Sequence, residues 1–159
     1  MAGSKSVTVS RVIPAAPEDV WRILDDTSRY AEWVPQTLDV TRNDGEAVVG
    51  ATYDERNAVV GPIKGSSRWR VVERDPGRHS RHDGEGLPLV KNVSVEYTTA
   101  AAGESTEVTL TLRYDTTLGP LGALIDRVAH GQTVAAQEQA LANLEAAVTR
   151  EAAARTPAT

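Results

Sequence analysis

Hydrophobic and polar residues alternate along most of the chain between Ser6 and Asp115. A period of two is typical of β-strands that bury one face and leave the other in water. Turn residues divide the pattern into seven predicted strands: Ser6–Ile13, Leu38–Arg42, Ala51–Ala58, Ile63–Arg74, His79–Asp83, Lys91–Thr99 and Thr106–Thr116. The short connections favour a simple antiparallel meander.

Two short helices are predicted between the first and second strands. Pro17 precedes Glu18 and Asp19, and this order suits a first helical turn. The N–H that proline lacks would have no partner within the helix there, and the carboxylates complement the helix dipole. The polar residues 25–28 end this helix and cap a second one, which stops before Pro35.

The last forty or so residues, Leu118–Thr159, are rich in alanine and predict a long helix. Its large apolar residues form two stripes on roughly opposite sides: Leu121, Leu124, Ile125 and Val128, then Val134, Leu141, Leu144 and Val148. Because a straight helix cannot bury both stripes against one sheet, we expect a break near Gly131 that separates a lid-like piece, residues 120–130, from the packing helix.

The length of 159 residues predicts one domain, residues 6–151, with a disordered tail at 1–5 and a frayed tail at 152–159. No apolar run is long enough for stable membrane insertion, and no secretory signal is visible, so a cytoplasmic location is expected. The net charge of −5 disfavours a nucleic-acid partner. The pattern favours no particular oligomeric state.

Bulky aromatic residues are few, and all of them carry a polar atom. The chain has three Trp, four Tyr and no Phe, and it has no Cys, which excludes disulfides and thiolate catalysis. A buried Tyr or Trp needs a hydrogen-bond partner. We therefore expect an interior with polar groups in it.

Several segments together resemble the START-like (SRPBCC) superfamily, which includes polyketide cyclases and lipid-transport proteins. The segments that carry the resemblance are APEDVWRILDD at 16–26, Tyr30, WVP at 33–35, WRVVERDP at 69–76, GPL at 119–121 and ALANL at 140–144. The resemblance covers Val7 to about Arg150. It implies an α+β helix-grip fold: a curved seven-stranded antiparallel sheet wrapped around a long C-terminal helix, with two short helices between the first two strands.

The resemblance also implies an internal cavity for a hydrophobic small molecule of polyketide, aromatic or isoprenoid type. The leading hypothesis is a cyclase/dehydratase-like protein that acts by positioning and by general acid/base catalysis. Two alternatives remain: a non-catalytic carrier of a lipid or quinone, and a protein-interaction module with an exposed apolar patch. No cofactor is expected, because phosphate-binding and dinucleotide-binding fingerprints are lacking.

The candidate ligand-binding residues are those that strand alternation or their position on a helix should turn toward the interior. The candidates are Trp33, Ser67, Trp69, Tyr97, Tyr114, Leu124, Ile125 and Val128. The last three would close the cavity from the helix side. The alternative for the large members of this set is ordinary packing between helix and sheet.

Glu55, His82 and Tyr53 are the candidate catalytic residues. A carboxyl on an apolar wall is desolvated, which raises its pKa toward the range useful for proton transfer. Glu55 could instead be a solvated strand-end residue or a partner of Arg56. His82 could shuttle a proton near neutral pH or lie on a solvated edge. Tyr53 or Ser67 is expected to hydrogen-bond a ligand carbonyl.

A metal site is not expected. His79 and His82 are three residues apart, and on a strand this spacing points them to opposite faces. Arg68 and Arg70 alternate with the inward Trp69 and should therefore face outward. The aromatase/cyclases that the chain resembles instead keep a cavity-facing arginine on this strand. Cyclase chemistry therefore cannot be transferred residue by residue.

Overall fold

Seven antiparallel strands form one sheet, and a long C-terminal helix packs against it. The computed structural model describes residues 4–117 and 119–155. The strands are β1 (Ser4–Ile13), β2 (Thr37–Asn43), β3 (Thr52–Val60), β4 (Ile63–Asp75), β5 (His79–Glu85), β6 (Val90–Ala102) and β7 (Ser105–Thr116). The helices are α1 (Pro17–Leu24), α2 (Tyr30–Trp33) and α3 (Gly122–Arg155), with 3₁₀ turns at Thr27–Arg29 and Gly119–Leu121. The α+β helix-grip fold is confirmed.

The first strand does not follow the predicted simple meander. The strand order is β1-β7-β6-β5-β4-β3-β2, so that only β2 to β7 form a meander and β1 lies at the opposite edge from β2. The connection through α1 and α2 carries the chain across the sheet. Val7 lies opposite Leu112 and Val9 opposite Leu110, and the two valines are buried in the core.

The predicted alternation of inward and outward residues is confirmed by burial. On β3, Tyr53, Glu55 and Asn57 are buried, whereas Arg56 between them is exposed. The outward position of Arg68 is also confirmed, because its guanidinium pairs with Asp54 on the outer face of the sheet at 2.8 Å. The inner face is therefore the one that meets α3.

The N-terminal boundary of the domain lies earlier than predicted. Ser4 and Lys5 belong to β1, where Ser4 pairs with Asp115 and Lys5 with Tyr114. The hydrogen bonds of the β1–β7 ladder hold these two residues in the sheet, so the prediction of a disordered tail is wrong for them. Residues 1–3 lie outside the described part of the chain.

The C-terminal boundary lies later than predicted. α3 continues to Arg155, whose guanidinium pairs with the carboxylates of Asp19 and Glu151. These ion pairs tie the last turn to α1 and to the preceding turn of α3, and fraying from Ala152 is therefore wrong as far as Arg155. Residues 156–159, and Leu118 at the start of the predicted helical segment, are outside the described part.

The predicted break near Gly131 is wrong, because α3 is one continuous helix of 34 residues. The two opposite apolar stripes are accommodated differently. Leu141, Leu144 and Val148 are buried against the sheet and the small helices, whereas Leu124 is 74% and Val128 63% exposed. One glycine costs a helix only about 1 kcal/mol, too little to interrupt a helix whose other half is fixed by packing.

The length of α3 would be sufficient to cross a bilayer, but its sequence is interrupted by many polar residues. Within residues 4–117 and 119–155, no helix combines the length and the hydrophobicity that a membrane span requires.

Candidate functional site: a cavity between the sheet and the long helix

A cavity of about 350 Å³ lies between the inner face of the sheet and the first half of α3. Most of its wall is apolar. The aliphatic lining includes Val93, Val95, Leu110, Leu112 and Ile125. Its volume is at the lower end of the range of about 300–1,000 Å³ that small-molecule sites occupy.

Aromatic rings form the wall on the side of β3, β4 and β6. The rings of Tyr53 and Trp69 stack with centroids 6.4 Å apart, and Tyr30 meets Tyr53 edge to face at 5.4 Å. Gly84 on β5 makes room for the indole, because a Cβ there would lie 2.8 Å from the Trp69 ring. The edge of Tyr97 completes this wall. The near-parallel rings of Tyr53 and Trp69 are the part of this wall that could lie against a planar ligand.

Four side chains on β3 and β4 form a continuous hydrogen-bond chain, here called the Glu55 chain. Trp69 Nε1 donates to Ser67 Oγ at 2.8 Å, Ser67 Oγ donates to Asn57 Oδ1 at 2.6 Å, and Asn57 Nδ2 donates to Glu55 Oε2 at 2.9 Å. Glu55, Asn57 and Trp69 line the cavity, whereas Ser67 is buried behind them.

Glu55 is a desolvated carboxyl in a mostly apolar wall. The residue is only 4% exposed, and burial raises its pKa, while the hydrogen bond from Asn57 opposes this shift. Neither alternative from the sequence applies, because Glu55 is not solvated and Arg56 points to the outer face. Glu55 is thus held as a polar group that faces the cavity.

His82 lies behind the cavity wall and does not line it. Its ring is fully buried, with Nδ1 2.7 Å from the Tyr53 hydroxyl and Nε2 2.8 Å from Ser80 Oγ. We call these three residues the His82 cluster. Burial lowers the pKa of His82 to about 4, so its imidazole is neutral at pH 7.

The solvated-edge alternative for His82 is therefore wrong. Strand alternation explains the outcome, since the charged neighbours Arg81 and Asp83 face outward and leave His82 inward. Burial also raises the pKa of Tyr53 well above its ordinary value. Tyr53 lines the cavity and keeps its hydroxyl proton at pH 7, and its contact with His82 connects that residue to the cavity wall.

The candidate ligand-binding residues divide into two sets. Trp69, Tyr97, Tyr114 and Ile125 lie in the cavity wall. Trp33, Ser67, Leu124 and Val128 do not line it. Trp33 is fully buried and packs edge-on against Tyr97. Leu124 and Val128 face solvent, because the helix presents a neighbouring face to the cavity.

Sequence reasoning identified Ile125 but missed the other residues of the same helical face, Ala129, Thr133 and Gln137, and it missed Gln36 just before β2. Ile125, Ala129, Thr133 and Gln137 all line the cavity, and their spacing of four residues is the helical signal that could have identified them. Gln137 Nε2 donates to the side-chain oxygen of Gln36 at 3.4 Å, a long and weak hydrogen bond.

The described residues, 4–117 and 119–155, contain no group of three or more His, Asp or Glu side chains arranged to hold a metal ion. The polar groups available to a ligand are therefore hydroxyls, amides and the carboxyls of Glu55 and Asp126.

Comparison with known proteins identifies the family. A family model described as polyketide cyclase / dehydrase and lipid transport matches residues 4–149. No curated protein shows a significant match to the chain. Protein TTHA0849 from Thermus thermophilus is 26% identical, with a TM-score of 0.74 over 96% of this chain and 100% of that one.

Two more distant structures share the fold. The Zhui aromatase/cyclase from Streptomyces sp. R1128 is 19% identical, with a TM-score of 0.77 over 94% of this chain and 96% of that one. Ara h 8.0201 is 12% identical, with a TM-score of 0.66 over 93% of this chain and 99% of that one. The chain belongs to the polyketide cyclase / dehydrase and lipid transport family, a ligand-binding family of the START-like superfamily.

Proposed function

We propose that the chain binds a small hydrophobic ring compound, of polyketide or aromatic type, in the cavity beneath α3. The observation that carries this proposal is a cavity of about 350 Å³ with a mostly apolar wall. An engineered protein cavity of about 150 Å³ holds one benzene, so this volume corresponds to two or three fused rings. A long lipid or quinone tail needs more room, and ring compounds are therefore favoured over a carried lipid.

The buried carboxyl of Glu55 favours a catalytic role over simple carriage. In this proposal Glu55 accepts a proton from a carbon next to a ligand carbonyl and returns it to the oxygen that becomes a hydroxyl in a cyclisation or leaves as water in a dehydration, while the aromatic wall holds the molecule in place. Burial raises the pKa of Glu55, which makes it a stronger base than an exposed carboxylate. Tyr53 keeps its proton and would donate it in a hydrogen bond to a ligand carbonyl, with His82 in the tautomer whose Nδ1–H donates to the Tyr53 oxygen at 2.7 Å.

Filling the cavity tests the binding proposal. A neutral fluorescent probe, N-phenyl-1-naphthylamine, is titrated into the wild-type protein, into Leu112→Trp and into Val12→Trp. Leu112 lines the cavity, whereas Val12 is 51% exposed. The probe should bind the wild type and Val12→Trp alike and should lose at least about tenfold in affinity for Leu112→Trp. Equal affinity for all three proteins would mean that the probe binds elsewhere, which contradicts the proposal.

A second experiment separates an enzyme from a carrier. Native mass spectrometry of the freshly purified protein identifies any co-purified molecule, which is then used for binding and turnover assays. An enzyme should lose about 10²–10⁴-fold in turnover on Glu55→Gln while its affinity for the molecule stays similar. If no conversion occurs with the wild type, the protein is a carrier.

The cytoplasmic location stays a prediction.

A further inference from the structure

The hydrogen bonds in the Glu55 chain all run in the same direction, from Trp69 through Ser67 and Asn57 to Glu55. An indole nitrogen can only donate a hydrogen bond, so Ser67 Oγ must accept from Trp69 Nε1 at 2.8 Å. The Ser67 hydroxyl then has its own hydrogen left, which it donates to Asn57 Oδ1 at 2.6 Å.

The orientation of the Asn57 amide follows from this. With its oxygen accepting from Ser67, the amide nitrogen must face Glu55, and it donates to Oε2 at 2.9 Å. Every hydrogen in the chain therefore points toward Glu55. Glu55 Oε2 accepts the last hydrogen bond of the chain, and the first member, the indole of Trp69, can only donate.

The charges around the cavity all have the same sign. Glu55 and Asp126 are the charged residues among the described side chains of the wall, which include no Lys, Arg or His. Asp126 has a cationic neighbour, Lys5, at 4.0 Å, but Glu55 forms no ion pair within the described part of the chain. An anion that entered would lose its hydration, gain no cation and meet a carboxyl in a medium of low dielectric constant.

We propose that this cavity selects ligands whose polar end is a neutral hydroxyl, such as a phenol, enol or alcohol, and rejects carboxylates. The hydroxyl donates to Glu55, and the apolar part of the ligand lies against the aromatic and aliphatic walls. The inference rests on the proposed function, because it assumes that the cavity is the ligand site, and it adds the chemistry of the ligand's polar end.

Three naphthalene compounds of nearly equal size test the selection. Naphthalene reports on the apolar cavity alone, 2-naphthol adds a neutral hydroxyl, and 2-naphthoate adds a carboxylate that is ionised at pH 7. Affinities are measured by isothermal titration calorimetry on the wild-type protein. We expect 2-naphthol to bind at least about tenfold more tightly than 2-naphthoate, with naphthalene between them.

Two glutamate variants show whether Glu55 causes the preference. Glu55→Gln keeps the shape and an acceptor oxygen and removes the charge. Glu107→Gln removes one negative charge from an exposed position on the outer face, so it controls for net charge. The affinities for 2-naphthol and 2-naphthoate should differ by no more than about threefold in Glu55→Gln. In Glu107→Gln their ratio should stay at the wild-type value.

The outcomes separate this inference from the proposed function. If 2-naphthol and 2-naphthoate bind the wild type equally, or if Glu55→Gln folds and keeps the wild-type ratio, the selection by Glu55 is refuted while binding in the cavity stands. If none of the three compounds binds, naphthalene included, the proposed function itself fails. Should Glu55→Gln not fold, the wild-type comparison alone decides, because equal affinities would still contradict the selection.

Discussion

Two buried polar groups lie on the same sheet, the Glu55 chain on β3 and β4 and the His82 cluster on β3 and β5, and they differ in what they face. Glu55 and Asn57 line the cavity, so a ligand can reach them. His82 is fully buried, and both of its ring nitrogens already have partners. The Glu55 chain thus faces the cavity and the His82 cluster is enclosed within the fold, with Tyr53 in contact with both the cavity and His82.

Removing His82 should have the largest effect on stability. His82→Ala deletes a buried ring and leaves the hydroxyls of Tyr53 and Ser80 without their partner, which should lower the free energy of unfolding by about 3 kcal/mol. His79→Ala is the matched control, because His79 is partly exposed, and it should cost less than about 1 kcal/mol. Urea denaturation measures both. A loss below about 1 kcal/mol for His82→Ala would show that the His82 cluster does not hold the fold.

The same residue should make the protein sensitive to acid. Burial lowers the pKa of folded His82 from 6.5 to about 4, so between these pH values the unfolded state binds more protons. Stability due to His82 is therefore complete above about pH 6.5 and is lost as the pH falls to 4, by about 3 kcal/mol in total. Urea unfolding at a series of pH values, with His82→Gln as the control, measures this. A wild-type profile identical to that of His82→Gln would contradict it.

Breaking the Glu55 chain in its middle should have a smaller effect. Ser67→Ala removes the acceptor of Trp69 Nε1 and the donor to Asn57, which should cost about 1–2 kcal/mol of unfolding free energy. The Asn57 amide is then free to turn, so the preference for 2-naphthol over 2-naphthoate should also shrink. Ser66→Ala changes the exposed neighbouring serine and should alter neither property. Unchanged selectivity in Ser67→Ala would show that the order of the chain is irrelevant to ligand choice.

Glu55→Gln should have the smallest effect on stability, and in the opposite direction. Because burial raises the pKa of folded Glu55, its ionised form is unfavourable in the folded protein near neutral pH. Removing that charge should raise the unfolding free energy by up to about 1 kcal/mol at pH 7, and this gain should decrease as the pH falls and Glu55 becomes protonated. Thermal unfolding of Glu55→Gln beside Glu107→Gln measures it. A clear loss of stability would mean that the carboxylate holds the wall together.

The period-two pattern was sufficient to predict which side chains face the core, because strand alternation is local. The pattern selected Tyr53 and Glu55 as candidates for the inner face, and both residues are buried. The rest of the Glu55 chain was not predictable, since Ser67 and Trp69 come from another strand and the contact of Ser67 with Asn57 depends on the register of β3 against β4.

The two errors on His82 and Gly131 have a common physical origin. The charged residues around His82 suggested a solvated edge, but its partner Tyr53 lies 29 residues away in the chain. The glycine suggested a break in the helix, but packing of the following turns decides helix continuity more strongly than one residue's propensity. In each case a tertiary contact outweighed a local signal.

The pairing of the first strand with the last determines how the chain can fold. Val9 lies opposite Leu110, so β1 can pair with β7 only after about 100 further residues have been synthesised. Contacts this distant in sequence slow folding. Until β7 arrives, both β1 and β6 expose unpaired backbone edges to other chains. A truncation before Ser105 should therefore yield aggregating material, not a smaller folded protein.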